Sequence, residues 1–204
     1  ITMSLLSFHS MAFEGLSANI GATNNYLWRG LEQTNGKSAI SGGIDYEHAS
    51  GFYLGTWASN ADWADGMTYE LDVYGGYTGN IDGINFDVGV IQYAYPDTID
   101  DVDFSEVYAS VSFGAFTLGY ATLLTAENAS FGDDSYISLD ASLDVTNDFT
   151  LNFHIGRGTD EFYAGEDFTD YSLSLNKSNF TIGASKTDLA NQDIKVYISY
   201  NLAI

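Results

Sequence analysis

Apolar and polar residues alternate along most of the chain, in segments of about ten residues separated by Gly, Asn, Asp or Ser. Alternation at every second position puts successive side chains on opposite faces of a β-strand, and the separating residues are those of hairpin turns. Because no segment shows a helical period, the pattern predicts twelve strands. Their ranges are 14–24, 37–48, 51–60, 68–79, 83–95, 103–113, 115–125, 134–145, 148–158, 168–177, 179–187 and 193–204.

One face of each predicted strand is apolar and the other is polar or small, except in the third strand, which has large apolar residues on both faces. In the eighth segment, for example, Ile137 and Leu139 alternate with Ser138 and Asp140. A closed barrel of this many strands encloses more volume than small apolar side chains fill, so we expect the polar face inside and the apolar face against lipid. The pattern therefore predicts an all-β fold, a transmembrane antiparallel up-and-down β-barrel of about 12 strands. A soluble sandwich or lipocalin-type barrel explains the alternation as well and is the alternative.

The links between predicted strands are alternately short and long. The short links are 48–51, 79–83, 114, 146–147 and 178, and the long, acidic links are 30–36, 60–67, 96–102, 126–133, 159–167 and 188–192. Even-stranded outer-membrane barrels show this alternation, because their short turns face the periplasm and their long loops face the exterior. The alternation is thus an independent indication of an outer-membrane barrel.

The two ends of the sequence carry signals of their own. Residues 1–12 are apolar and finish with small residues at Ser10 and Ala12, which is typical of a signal peptide cleaved after Ala12. We interpret 1–12 as a residual signal-peptide segment and 13–204 as the barrel, with a short apolar first strand as the alternative. The last segment, apolar at every second position up to Ile204, resembles an outer-membrane insertion signal. It predicts the barrel-assembly machinery as a partner.

Composition excludes several classes of protein. The chain has 28 acidic and 6 basic residues, a formal charge of −22, and would repel nucleic acid. Its 15% aromatic content is too high for a disordered acidic chain, and its lack of cysteine excludes disulfides and thiolate metal sites. A membrane helix is also excluded, because it would need a run of about 18 apolar residues.

The acidic residues predict a negatively charged pore. We expect one group at the long-loop mouth: Asp97, Asp100, Asp101, Asp103, Asp160, Glu161, Glu166 and Asp167. A second group falls on the inward face of the strands: Asp45, Asp72, Asp87, Asp140 and Asp144. Charge of one sign around a narrow entry concentrates counter-ions, so the pore is expected to favour cations. The alternative for the loops is that their charge only keeps the exterior soluble.

The few basic residues can be placed one by one. Parity points Arg29 and Lys195 inward on the first and last strands, which are neighbours in a closed barrel. They would form a small positive spot opposite the acidic wall, or each would pair with a carboxylate such as Asp45 or Glu32. Arg157 and Lys186 fall at the outer rim on the lipid-facing side, where they are expected to contact lipopolysaccharide phosphates.

Aromatic residues cluster near the long-loop end: Tyr26, Trp28, Trp57, Trp63, Tyr93 and Tyr95. The default interpretation is a girdle at the membrane interface, and the alternative is a platform that stacks sugars.

Enzyme activity is not expected. An outer-membrane lipid hydrolase would need a Ser–His–Asn constellation, and His154 with Asn152 and Ser138 or Ser142 is the candidate set. That chemistry attacks lipid from outside, whereas parity places His154 in the lumen. The acidic run 100–103 lacks the glycine of a helical calcium loop, so we predict no metal ion and no cofactor.

Several segments resemble a known family of barrels: 24–34 (NNYLWRGLEQT), 42–46 (GGIDY), 51–60 (GFYLGTWASN), 69–77 (YELDVYGGY) and 93–96 (YAYP). Together they are similar to the TorF family of porins over roughly the first half of the chain. The resemblance implies an outer-membrane β-barrel of a Gram-negative bacterium. It supplies no catalytic or substrate-binding residues.

The function that follows is an outer-membrane, porin-like channel for passive diffusion of small polar solutes, favouring cations. Its partners would be outer-membrane lipids and lipopolysaccharide, the barrel-assembly machinery and small polar solutes, and no nucleic acid. The alternatives are a plugged barrel with a structural or adhesion role and, further off, the lipid hydrolase.

Overall fold

A computed structural model describes residues 14–159 and 164–204, and these residues form fourteen β-strands and no helix. The strands are β1 (Leu16–Thr23), β2 (Leu27–Trp28), β3 (Leu31–Glu32), β4 (Ala39–Glu47), β5 (Phe52–Asn60), β6 (Tyr69–Ile81), β7 (Ile84–Ala94), β8 (Phe104–Phe113), β9 (Phe116–Ala126), β10 (Ser135–Thr146), β11 (Phe149–Gly158), β12 (Phe168–Lys177), β13 (Phe180–Thr187) and β14 (Lys195–Ala203). Within the same ranges, no helical segment is long and apolar enough to cross a membrane. The proposed signal peptide, residues 1–12, lies outside the described part of the chain and stays a prediction.

Of these described strands, twelve close an antiparallel barrel and β2 with β3 form a separate hairpin. Closure joins the first strand to the last: Asn19 of β1 lies opposite Ala203 of β14 on one side and Gly43 of β4 on the other. Each predicted segment overlaps one wall strand. The prediction of an all-β, antiparallel barrel of about 12 strands is therefore confirmed.

The outward face of the wall is apolar and exposed. Val88 and Val90 of β7 and Ile137 and Leu139 of β10 are each about half exposed on that face. Their polar neighbours turn inward, as the alternation predicts for strands whose two faces meet different media. The alternative with an apolar interior is wrong, and the barrel is of the transmembrane type.

Tyrosine rings fill part of the interior by lying over glycines of neighbouring strands. Tyr108 of β8 covers Gly89 of β7, where an added Cβ would lie 2.6 Å from the ring carbon Cζ, and Tyr197 of β14 covers Gly183 of β13 in the same way. A glycine leaves its side of the sheet open, and an aromatic ring across the strand pair fills that space. This packing accounts for part of the Tyr and Gly content.

The connections alternate as expected for an outer-membrane barrel. Short turns lie at 48–51, 82–83, 114–115, 147–148 and 178–179, and longer loops lie at 24–38, 61–68, 95–103, 127–134 and 188–194. The connection between β11 and β12 includes residues 160–163, which lie outside the described part of the chain. The loops gather at one end of the barrel and the turns at the other, because successive strands run in opposite directions.

Candidate functional site

The first long loop does not lie outside the barrel but turns into it. We call residues 24–38 the inward hairpin. Leu27 pairs with Glu32 and Trp28 with Leu31, and the two-residue turn between them is Arg29–Gly30. Both turn residues have positive φ, 51° for Arg29 and 76° for Gly30, as a tight hairpin turn of type I′ requires. The sequence prediction that Arg29 lies on the first wall strand is therefore wrong.

At the tip of the inward hairpin, Arg29 makes a two-pronged ion pair with Glu106 of β8. Its Nη1 and Nη2 donate to Oε1 and Oε2 at 2.9 and 2.8 Å, with side-chain exposures of 10% for Arg29 and 1% for Glu106. The guanidinium also lies 4.2 Å from the ring centroids of Trp28 and Tyr136. A two-pronged ion pair together with aromatic rings against the guanidinium is the arrangement that arginine favours in a desolvated site. The predicted pairing of Arg29 with Asp45 or Glu32 is wrong.

The tip also touches β12 and β13 of the wall. A Cβ added to Gly30 would lie 2.8 Å from Cγ2 of Thr187 and 2.9 Å from Cβ of Asp170, so β13 and β12 leave room for glycine alone. On its other side, the Trp28 ring lies edge-on to Tyr93, with centroids 5.9 Å apart. The inward hairpin thus crosses the lumen from its origin between β1 and β4.

The base of the inward hairpin is held by Tyr26. Its hydroxyl donates to Oε1 of Glu70 at 3.2 Å, and its ring meets Trp57 edge-on with centroids 5.4 Å apart. Burial raises the pKa of the Tyr26 hydroxyl, and the nearby carboxylates of Glu70 and Asp72 raise it further. The hydroxyl therefore remains a protonated donor at all physiological pH values.

Glu32 connects β3 of the inward hairpin to β14, the wall strand that pairs with β1 to close the barrel. Its Oε2 lies 3.0 Å from Nζ of Lys195 on β14, and its Oε1 accepts a hydrogen bond of 2.7 Å from the Asn25 side chain. The pairing of Lys195 with Glu32 is one of the two arrangements considered from the sequence. Lys195 and Arg29 are consequently each matched by a carboxylate and do not form a shared positive spot.

The predicted wall carboxylates lie at inward positions: Asp45, Asp72, Asp87, Asp140 and Asp144. Asp45 accepts hydrogen bonds from Asn19 and Tyr74, and Asp87 accepts one of 2.7 Å from Tyr53. These donors are neutral, and in the part of the chain that the structure describes no Arg or Lys pairs with a carboxylate of this set. Among the described residues, Asp45 and Asp87 therefore have no cationic partner, whereas Asp140 lies 2.6 Å from the His154 ring.

His154, the predicted lumen histidine, lies between two carboxylates. Its Nδ1 is 2.6 Å from Oδ1 of Asp140 and its Nε2 is 2.9 Å from Oδ2 of Asp170. The Tyr136 hydroxyl donates to Asp170 at 2.7 Å and lies 2.8 Å from Nε2. An imidazole between two carboxylates can donate from both nitrogens only in its protonated form. His154 therefore serves as an internal counter-ion for the wall.

The Ser–His–Asn set considered for a lipid hydrolase is not assembled. Ser142 donates to Asn152 at 2.8 Å and Ser138 donates to Asp140 at 3.4 Å. Among the described residues, no serine hydroxyl bonds either nitrogen of His154. A serine nucleophile needs that hydrogen bond for its activation.

Two cavities flank the inward hairpin. The inner cavity, about 400 Å³, is lined by strand residues such as Tyr136, His154 and Ser199 together with Arg29 of the hairpin. The outer cavity, about 460 Å³, lies among the long loops and has Trp28 of the hairpin in its wall. The hairpin therefore forms part of the wall of both cavities.

The predicted acidic mouth is exposed at five of its positions: Asp97, Asp100, Asp101, Glu166 and Asp167. Some of these carboxylates have local tasks. Asp103 accepts a hydrogen bond of 2.7 Å from the backbone N–H of Tyr95, and Asp101 accepts one of 3.0 Å from that of Asp103. Asp167 pairs with Arg157 at 2.5 Å. The remaining two predictions, Asp160 and Glu161, lie outside the described residues.

The aromatic residues near the loops do not form an interfacial girdle. Tyr93 and Tyr95 are buried inside the barrel with Phe104 and Leu123, and Trp28 of the inward hairpin packs against this cluster. Trp63 is the outlier at 40% exposed. The girdle interpretation is therefore wrong for the buried members.

The inward hairpin is the feature that sequence reasoning missed. Its local signal is a two-residue Arg29–Gly30 turn between the apolar pairs Leu27–Trp28 and Leu31–Glu32. A dipeptide ending in glycine between apolar flanks indicates a short hairpin. That signal predicts a turn but not the side of the wall on which it lies.

Solved porin barrels are similar to this chain in fold. A KdgM porin is 9% identical, covering 92% of this chain and 97% of that one, with a TM-score of 0.59. A KdgM porin in complex with disordered oligogalacturonate is 8% identical, covering 92% and 96%, with a TM-score of 0.57. Such low identities show a shared barrel fold alone.

Sequence comparisons add the family. No curated protein matches the chain in sequence. The TorF resemblance stays a prediction. The family model that matches is described as a bacterial protein of unknown function, Gcw_chp, and it spans residues 10–203. The chain therefore belongs to the bacterial Gcw_chp family.

Proposed function

We propose that this protein is an outer-membrane, porin-like channel that passes small polar solutes by passive diffusion and favours cations over anions. The carrying observation is the charge imbalance of the lumen. Among the described residues, the inward Arg and Lys side chains, Arg29 and Lys195, are each matched by a glutamate. His154 is matched by Asp140 and Asp170. Asp45, Asp87 and Asp144 have neutral hydrogen-bond partners instead.

The electrostatic mechanism follows from this imbalance. Carboxylates in a narrow, water-filled lumen with low-dielectric walls raise the local concentration of cations and exclude anions. Paired glutamates add little to this field, because the neighbouring cation cancels most of their charge. Selectivity is therefore assigned to the wall aspartates, with the exposed loop carboxylates adding a weaker field that salt screens.

The inward hairpin limits the size of the solutes. It forms part of the wall of two cavities of about 400 and 460 Å³, and each has the volume of a site for a small molecule. We therefore assign small polar solutes, of which inorganic cations are the simplest.

Membrane partners are proposed from the outer surface. The exposed apolar face fits the lipid core, and the alternating turns fit the periplasmic and exterior ends of an outer-membrane barrel. Lys186 is exposed on the lipid-facing side near the loop end and is the candidate for a lipopolysaccharide phosphate. Arg157, the other predicted contact, already pairs with Asp167. Insertion by the barrel-assembly machinery completes this proposal.

Single-channel recording in planar lipid bilayers tests the channel. With a KCl gradient, we expect discrete conductance steps and a reversal potential of the sign set by cation permeation. Changing Asp45, Asp87 and Asp144 to Asn together is expected to lower the cation-to-anion permeability ratio by roughly threefold. The matched control changes three exposed loop carboxylates, Asp97→Asn, Asp100→Asn and Glu166→Gln, and is expected to have a smaller effect. Anion preference in the unchanged protein would overturn the electrostatic assignment.

A second function, a plugged barrel with a structural or adhesion role, has its own observation. The inward hairpin is anchored at its base, at its side and at its tip, by Tyr26, Trp28 and Arg29. If the hairpin closes the lumen, the unchanged protein gives no conductance steps and a variant that frees the hairpin gives them. Steps of equal size in both proteins argue for the open channel.

A further inference from the structure

The outer cavity has the composition of a ligand site. Its volume of about 460 Å³ is within the range of small-molecule pockets, and its lining residues come from the long loops and the inward hairpin. Four aromatic side chains contribute to its wall: Trp28, Trp63, Tyr95 and Phe104. The Trp63 and Tyr95 rings meet edge-on with centroids 5.2 Å apart, so they form a corner of two aromatic faces. Such a corner suits a compact apolar group.

The polar part of the cavity wall is acidic or neutral. It consists of Asp101 and Glu32 with the amides Gln33, Asn35 and Gln192, and there is no Arg or Lys among the described lining residues. Glu32 is already paired with Lys195. Asp101 is exposed, and its one hydrogen bond comes from a backbone N–H. Asp101 therefore supplies the unbalanced charge of this cavity.

The charge around the cavity selects the class of ligand. The loop 95–103 that carries Asp101 holds three further aspartates and no basic residue. An anion entering there would lose solvation and meet repulsion, whereas a cation gains from the Asp101 carboxylate and from the ring of Trp63, which is 40% exposed. Aromatic walls with one carboxylate are also a common arrangement for holding ammonium groups.

We propose that the outer cavity binds a small organic ammonium ion, its apolar body against Trp28 and Trp63 and its charge beside Asp101. This inference rests on the proposed channel function and deepens it, because it names the class of solute that the mouth collects. The bound ion would touch Trp28, next to Arg29 at the tip of the inward hairpin. The site therefore lies on the hairpin that narrows the lumen.

Three probes of one shape separate charge from size. Choline is the cation. Neohexyl alcohol, which has carbon in place of the choline nitrogen, is the neutral analogue, and tert-butylacetate is the anion. Each is titrated into the folded barrel in detergent and followed by tryptophan fluorescence and by calorimetry. We expect choline to bind at least tenfold more tightly than the neutral analogue and the anion not to bind. Equal or tighter binding of the neutral analogue, or of a neutral sugar, would overturn the proposal.

The variants test the location of the site. Trp63→Ala is expected to weaken choline binding about fivefold and Asp101→Asn about threefold. Their matched controls are Trp57→Phe, because Trp57 contacts Tyr26 inside the barrel, and Asp100→Asn, because Asp100 is exposed and outside the cavity lining. The controls are expected to bind as the unchanged protein does. Unaltered affinity in both site variants contradicts the assignment.

Failure of this inference and failure of the channel are distinguishable. Binding is measured on the protein in detergent, without current, whereas permeation is measured in a bilayer. Cation-selective steps without choline binding remove the ammonium site and leave the channel. Choline binding at the outer cavity without conductance steps leaves the site and removes the channel.

Discussion

The barrel wall and the inward hairpin are built on opposite principles. The wall repeats one local rule, in which outward apolar residues alternate with inward polar or small ones along most of each wall strand. The buried aromatic cluster at the loop end is the exception. The hairpin depends on single long-range contacts, of which the ion pair between Arg29 and Glu106 is the most buried. A wall built from many similar contacts tolerates the loss of one of them. The hairpin is held by a few separate contacts, so loss of the most buried one can loosen it without opening the barrel.

The largest effect is expected from Glu106→Ala, which leaves the buried Arg29 guanidinium without its carboxylate. Removing one partner of a buried ion pair costs about 3–5 kcal/mol. Here that cost weakens the binding of the inward hairpin to the wall and leaves the pairing of the wall strands unchanged. We expect a larger single-channel conductance. Heat-dependent gel mobility is expected to show that the barrel of this variant still folds. The double variant Arg29→Ala with Glu106→Ala separates loss of the pair from the cost of a stranded charge. Unchanged conductance in the single variant would contradict the described seat.

A smaller effect, on the wall this time, is expected from Leu139→Arg. Leu139 is exposed on the outward face near the middle of β10, and a charge at the bilayer midplane costs about 2–4 kcal/mol. The neighbouring substitution Ser138→Arg is the control, because that side chain faces the polar lumen. Urea unfolding in lipid vesicles is expected to show destabilisation for Leu139→Arg alone. Equal destabilisation by the two changes would argue against the assignment of faces.

Gly30→Ala is expected to act next, at the tip of the inward hairpin. The new Cβ meets β12 and β13 at less than 3 Å, and alanine at positive φ costs about 1–2 kcal/mol. Gly36→Ala is the matched control, since Gly36 also has positive φ but its added Cβ would meet its nearest neighbour at 3.5 Å. Conductance is expected to rise more in Gly30→Ala than in Gly36→Ala. The reverse order would mean that the tip does not touch the wall.

The smallest effect is expected from Lys37→Ala at the exposed end of the inward hairpin. Lys37 pairs with Asp62, and its side chain is 69% exposed. Exposed ion pairs contribute about 0–1 kcal/mol, so conductance and urea unfolding should stay close to those of the unchanged protein. A change as large as that of Glu106→Ala would show that the hairpin is held from its outer end instead.

The wall could be predicted from sequence because its rule is local. Face assignments such as Leu139 outward and Asp140 inward need only the parity of one strand. Closure also puts Lys195 on a strand beside the first one, but its partner Glu32 lies on β3 of the inward hairpin. The face assignments follow from periodicity, whereas this partner does not follow from strand order.

The hairpin could not be predicted in the same way. Arg29 and Glu106 are separated by 77 positions, and no periodicity relates a turn residue to one carboxylate of a distant strand. The same holds for His154, whose second carboxylate, Asp170, lies on the next strand. Parity places each of these side chains inside the barrel. Parity does not determine which carboxylate each of them pairs with. For Arg29, that partner depends on the position of the inward hairpin in the lumen.

An engineered disulfide gives the most direct test that the inward hairpin lies across the lumen. The chain has no cysteine, and the Gly30 Cβ position is 2.8 Å from Thr187 Cγ2, which places the two Cβ atoms within disulfide range. We expect Gly30→Cys with Thr187→Cys to crosslink on oxidation of the folded barrel, shown by intact mass after trapping of free thiols. Gly30→Cys with Lys186→Cys should not crosslink, because Lys186 faces outward. Crosslinking of the first pair is the expected result, with conductance raised before oxidation, as in Gly30→Ala, and lowered again by the crosslink; no crosslink in a correctly folded barrel would contradict the account.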